Sequence, residues 1–194
     1  MSLFKEIYRT VKAGLSFGSA MKVQESTKGL HGRFFVKCFE GGSLVHEYVS
    51  DNVIVSTASI LVASLLKDSA STHGISYLAV GTGGANWNLQ SPPAPTTAQW
   101  KLEAESFRKA IDLSGETSYV NPETGEPTVS KTNVVDFAVT FNEAEAVGAL
   151  TEMALFGGDA NPVSGSGLMV NYRTFPVINK TSSMSMSIIF RITA

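Results

Sequence analysis

The chain has 194 residues, of which 16% are charged and 43% hydrophobic, and its formal net charge is −2. This length is that of one domain with room for an appended arm, and it can bury roughly 70% of the unfolded surface without staples. The charge balance leaves no electrostatic footprint for nucleic acid, the lone Cys38 excludes a disulfide framework or thiolate metal site, and no apolar run reaches the ~18 residues of a spanning helix.

The charged fraction is below the usual ~25%, which favours burial of surface against other subunits. The first residues show no apolar stretch followed by a small-residue cleavage site, so no signal peptide is expected. Leu3, Phe4, Ile7, Tyr8, Val11 and Leu15 recur three and four apart, with Lys5, Glu6, Arg9 and Lys12 elsewhere on the wheel. Gly14, Ser16, Gly18 and Ser19 follow, then a polar stretch from Gln24 to Lys28. Residues 1–28 therefore read as an amphipathic helical arm and a flexible link, preceding a β domain over 29–194. The arm either folds back on its own domain or docks on a neighbouring subunit. Its basic face is too weak for a membrane surface.

Residues 30–39 read as a strand, Gly41-Gly42 as a turn, and 43–50 as the returning strand of a hairpin. Ser56 to Lys67 reads as a helix with Ser56 as its N-cap and with Ile60, Leu61, Ser64 and Leu65 on one side, packed against the sheet. Ile75 to Val80 is another strand, ending at Gly81-Thr82-Gly83-Gly84. From Ala85 to Ala98 the chain is a long surface loop containing Pro92, Pro93 and Pro95. Trp87 within it either pins the loop to its own domain or meets a partner.

Ser106 to Ser114 starts a strand, Asn121 to Pro127 is a strong turn, and the chain returns from Thr128 to Phe141. That pair predicts a hairpin whose tip, Gly115 to Pro127, projects from the body. Four apolar runs occupy the last part of the chain: 134–141, 149–156, 168–175 and 184–193. Val135, Phe137, Val139 and Phe141 alternate with other residues. So do Met184, Met186, Ile188, Phe190 and Ile192, and four of the five residues between and after these are polar. Period two predicts strands with one dry and one wet face. The expected fold is mainly β: an antiparallel sandwich of about seven or eight strands with one packed helix and the helical arm.

Four segments together resemble a known group. They are the Ile75–Gly83 run with Ala-Val-Gly-Thr-Gly, the run Phe107-Arg108-Lys109-Ala110-Ile111, the Val139–Phe156 run ending Leu-Thr-Glu-Met-Ala-Leu-Phe, and Phe175 to Ser183. In order and spacing they resemble small structural proteins of tailed bacteriophages and phage-like contractile particles, found at the neck, collar and fibre-attachment regions. The resemblance covers residues 50–194, without the arm and the Pro-rich loop. It implies a non-enzymatic, homo-oligomeric block of the virion, made in the host cytoplasm. Its implied partners are copies of itself and connector, tail or fibre proteins, with no specific nucleic acid and no membrane. A head-decoration protein is a variant of the same reading.

The residues offer no catalytic, cofactor or metal site to set against this. His31, His46 and His73 fall on separate elements without ligand spacing. Gly81-x-Gly83 follows a strand, but a third fingerprint glycine would fall at Asn86, so it reads as a turn needing positive φ. Glu143 and Glu145 sit in a polar link, and no Ser lies in a Gly-x-Ser-x-Gly elbow. Asn179-Lys180-Thr181 matches a glycosylation sequon but has no secretory signal beside it. The expected contact residues are Leu3, Phe4, Ile7, Tyr8, Val11, Leu15 and Trp87. A receptor- or carbohydrate-binding module, stacking ligands on Trp87, Trp100 and Tyr119, is the alternative.

Overall fold

The computed structural model describes residues 29–194, and the arm residues Leu3 to Leu15 lie outside them. Eleven strands form one antiparallel sheet that does not close. The strands are β1 (His31–Glu40), β2 (Ser43–Ile54), β3 (His73–Gly81), β4 (Glu105–Ala110), β5 (Thr117–Val120), β6 (Pro127–Thr128), β7 (Val134–Phe141), β8 (Gly148–Gly158), β9 (Leu168–Met169), β10 (Asn171–Lys180) and β11 (Met184–Thr193). Helix α1 (Thr57–Leu66) joins β2 to β3. The order across the sheet is β4-β3-β8-β10-β2-β1-β11-β7-β5-β6, with β9 on β8.

The count of seven or eight strands is exceeded, and one hydrogen-bonded path replaces two separate sheets. That path is narrow at its middle. Strands β2 and β10 pair only through Val53 with Tyr172 and Ile54 with Asn171. Beyond that point they part, and side chains from both halves meet in one core. The Phe34 ring of β1 lies 5.6 Å from Phe190 and 6.4 Å from Phe175 of β10. Phe107 of β4 meets Phe141 of β7 edge-on at 5.7 Å, although these strands are far apart in the ladder. Such aromatic pairs add to the burial that the alternating pattern supplies.

The β1–β2 hairpin forms as expected. Gly41 and Gly42 both have positive φ, 55° and 81°, which a two-residue turn with both central residues left-handed requires. The hairpin expected between 106–114 and 128–141 does not form. Strand β4 pairs with β3 instead, while β7 lies between β11 and β5. The turn at Asn121 to Pro127 is present, closed by the Gly125 amide donating to the Asn121 carbonyl, but it joins β5 to β6. Sequence proximity favoured the wrong partner: β4 pairs from Glu105 to Ala110 along β3, with Tyr77 opposite Ala110 and Val80 opposite Phe107.

Helix α1 also departs from expectation. Ala58 and Leu61 are buried, whereas Ile60 and Leu65 are 53% and 44% exposed. The Ser56 hydroxyl donates to the Thr97 carbonyl at 3.0 Å and does not cap the helix. The wet face expected of β11 is covered as well. Ser187 and Arg191 are buried, and each finds a cross-strand polar partner on β7, which lies beside β11. Ser187 shares a hydrogen bond of 2.9 Å with Thr140, and Arg191 pairs with Asp136.

Candidate functional site

The buried charges of the described residues hold the chain to itself. Glu152 is fully buried in the middle of β8. Its Oε1 accepts from the Gly83 and Ala104 amides at 3.2 and 2.8 Å. Its Oε2 accepts from the Glu103 amide at 3.0 Å and the Tyr172 hydroxyl at 2.6 Å. One carboxylate thus gathers both ends of the long 82–104 segment onto the sheet. Desolvation, then the bond to Glu152, pushes the Tyr172 phenol well above its usual range. Four donors thus converge on the two oxygens of this carboxylate.

Gly81, Gly83 and Gly84 are explained by the same geometry. A side chain on Gly81 would strike the Glu152 carboxylate, and one on Gly83 or Gly84 would strike the Trp87 ring. Gly83 also has φ of +74°, as its place at the strand end requires. Trp87 is therefore turned into its own domain, the first of the two roles expected for it. It is partly buried against the core cluster that includes Val55, Leu102 and Tyr172. The Pro-rich loop runs on along β10, where the Leu89 carbonyl accepts from the Val177 amide and the Pro93 carbonyl from the Thr174 hydroxyl. Of the three aromatic residues expected to stack ligands, Trp100 is the most exposed, at 59%, with the Lys101 ammonium 4.9 Å over its ring.

Other charged residues act as braces too. Arg108 bonds Glu105 through two nitrogens at 2.6 and 2.9 Å and holds the Asn161 and Ser166 carbonyls with a third. It fastens the 159–167 loop to the β4 edge. Lys180 is buried and donates to the Asn142, Glu143 and Met184 carbonyls, so it closes the 142–146 link over the β10–β11 hairpin. Burial lowers its pKa. Burial likewise pushes the nearby Cys38 thiol up to about 11, so it stays a neutral core residue. Glu145 accepts from Lys109 at 2.6 Å and from the Asn142 amide. His31, His46 and His73 stand on β1, β2 and β3.

None of these residues was expected to act as a brace, and Glu145 was weighed only as a carboxylate in a polar link. The available signal was a charge inside an apolar run: Asp136, Glu152 and Arg191 each interrupt one. In a strand such a residue is either on a wet face or paired.

The surfaces are a better candidate for function. Strand β2 pairs with β1 along its length but with β10 only at Val53 and Ile54. Among the described residues, no strand other than β1 pairs with Ser43 to Asp51. Beside this edge Leu44 and Val45 are 46% and 50% exposed. An apolar groove of about 230 Å³ lies between α1 and the β7–β11 sheet, lined by Leu61, Leu65, Val135, Phe137 and Ile192. A more polar hollow of about 260 Å³ opens where β2 and β10 part, between Tyr48, Pro92, Arg173 and Phe175. Among the described residues no helix is long and apolar enough to cross a membrane. No family model matches the chain, and no curated protein matches it.

Proposed function

We propose that the chain is a homo-oligomeric structural building block rather than an enzyme, with two layers of strands packed over one core. The observation that carries this reading is the open edge of β2, nine residues from Ser43 to Asp51 with exposed Leu44 and Val45 beside it. Unpaired backbone donors and acceptors along an edge invite another strand unless charge, proline or a cover blunts them. Here a second copy provides the cover. The exposed apolar side of α1, with Ile60, Val62, Leu65 and Leu66, offers further contact area. The low charge of the whole chain supports the same conclusion.

The place of assembly rests on the four-segment resemblance. It is the neck, collar or fibre-attachment region of a tailed phage particle, where the block holds connector, tail or fibre proteins together. Sedimentation of the full chain over a range of concentrations tests the oligomer. We expect a discrete multiple of the chain mass at high concentration. Val45→Lys places a charge at the open edge and should shift that species to single copies. The substitution is at the surface, so stability should stay within about 0.5 kcal/mol. A full chain that sediments as one copy throughout contradicts the proposal.

A further inference from the structure

The hollow where β2 and β10 part holds an arginine without a counter-charge. Four arginines stand among the described residues, and three of them meet a carboxylate. Arg33 lies 3.6 Å from Asp51, Arg108 lies 2.6 Å from Glu105 and Arg191 lies 2.7 Å from Asp136. Arg173 pairs with no carboxylate among the described residues. Its Nη2 donates to the Tyr48 hydroxyl at 3.3 Å, and its Nε is buried with no hydrogen-bond partner. A guanidinium partly out of water is costly to leave unpaired, and an anion that enters beside it offsets that cost.

The walls of the hollow are set in advance. The Tyr48 ring lies 5.6 Å from Phe34 and 6.4 Å from Phe175, which fixes one side. The opposite side is the Pro-rich loop, held to β10 through the Leu89 and Pro93 carbonyls. Pro92, Pro95 and Pro176 line the hollow, with Gln90 and Ser91 at its rim. A site whose groups are already held in place loses little freedom when a ligand binds. The volume of about 260 Å³ lies at the small end for ligand sites.

The polar groups select the ligand. A planar guanidinium matches a carboxylate through two parallel N–H···O bonds. The Tyr48 hydroxyl accepts from Arg173, so its own hydrogen is free to donate to the same carboxylate. Arg173 is the single charged residue lining the hollow. One cation suits a monoanion, whereas a phosphate calls for further cations, a helix N-terminus or a nest of backbone amides. We propose that this hollow binds a small ligand carrying one carboxylate. Arg173 pairs with the carboxylate, Tyr48 donates to it, and the proline rings contact the body of the ligand. The inference does not depend on the proposed oligomer.

The test is a titration of the nitrogen-labelled full chain, followed by the NMR signals of the Arg173 Nε–H and the Gln90 and Ser91 amides. The probes are glucuronate and N-acetylglutamate amide, which carry one carboxylate on a sugar and on an amino-acid side chain. Glucose and inorganic phosphate are the controls. At least one carboxylate should shift these signals saturably, with Kd on the order of 1 mM, and the tighter of the two identifies the kind of body the hollow takes. Arg173→Gln should weaken that binding about tenfold or more, and Tyr48→Phe severalfold. Arg173→Lys keeps the charge but loses the fork, so it should fall between Arg173→Gln and the unaltered chain. The amide spectrum of each variant checks its fold. If Arg173→Gln does not fold, the Arg173→Lys and Tyr48→Phe proteins decide the matter. No saturable shift with either carboxylate, glucose or phosphate binding as tightly, or affinity unchanged in the folded variants would each overturn the proposal.

Discussion

Glu152→Ala is expected to lower the unfolding free energy by about 4 kcal/mol, among the largest effects for a single substitution in this chain. Four donors converge on this carboxylate: the Gly83, Glu103 and Ala104 amides and the Tyr172 hydroxyl. Removing it leaves buried donors without an acceptor, at about 1–3 kcal/mol each before relaxation. Relaxation is limited by the Trp87 ring against Gly83 and Gly84 and by Ala104 above Gly81. Glu152→Gln keeps the volume but turns an NH₂ toward two of the donors, so it should recover only part of the loss. Tyr172→Phe removes one donor and should cost about 1–2 kcal/mol. Urea unfolding followed by Trp fluorescence measures all three. The Glu152→Ala protein should also be cut more readily between β3 and β4, because the carboxylate is what gathers that segment. A loss below 1 kcal/mol would mean that the segment is held mainly by the Trp87 packing and by the bonds of the Leu89, Pro93 and Thr97 carbonyls.

Asp136→Ala is the second large effect, with an expected loss of about 3–5 kcal/mol, the usual result of removing one partner of a buried ion pair. The pair is bidentate: Arg191 Nε lies 2.7 Å from Oδ1 and Nη2 lies 2.8 Å from Oδ2. Asp136 is fully buried, and Arg191 is 6% exposed. They face each other across the β7–β11 ladder. The substitution leaves a buried guanidinium without its carboxylate. For a chain of this size the melting temperature should fall by roughly 6–20 °C. Replacing both, as Asp136→Ala with Arg191→Met, should recover a large part, because an uncompensated charge costs more than an apolar pair. A double variant no more stable than Asp136→Ala would show that Arg191 acts mainly through the Gly125 carbonyl.

The strands of the C-terminal half were legible because their alternation is strong. Strands β7 and β11 have the bounds that period two implies, and the β1–β2 turn follows from Gly41-Gly42. Pairing was less legible. Nothing local distinguishes β7 from β3 as the partner of β4, since both offer an alternating edge. The burial of Ser187 and Arg191 could not be read from β11 alone, because their partners Thr140 and Asp136 stand on another strand. The exposed side of α1 was misread for a related reason. A helix without charge looks buried all round, yet only Ala58 and Leu61 meet the sheet closely. Of the expected contact residues, Trp87 packs, partly buried, against its own domain. The open edge of β2 was missed because it depends on where β10 departs from it.

The association of copies along β2 is tested most directly by amide hydrogen exchange on the full chain, compared between dilute single copies and the assembled species. If a second copy adds its strand there, every other amide between Ser43 and Asp51 gains protection on assembly, while the amides of β1, already paired on both sides, change little. Oligomers that form while the amides of Ser43 to Asp51 exchange as fast as in the single copy would contradict this account.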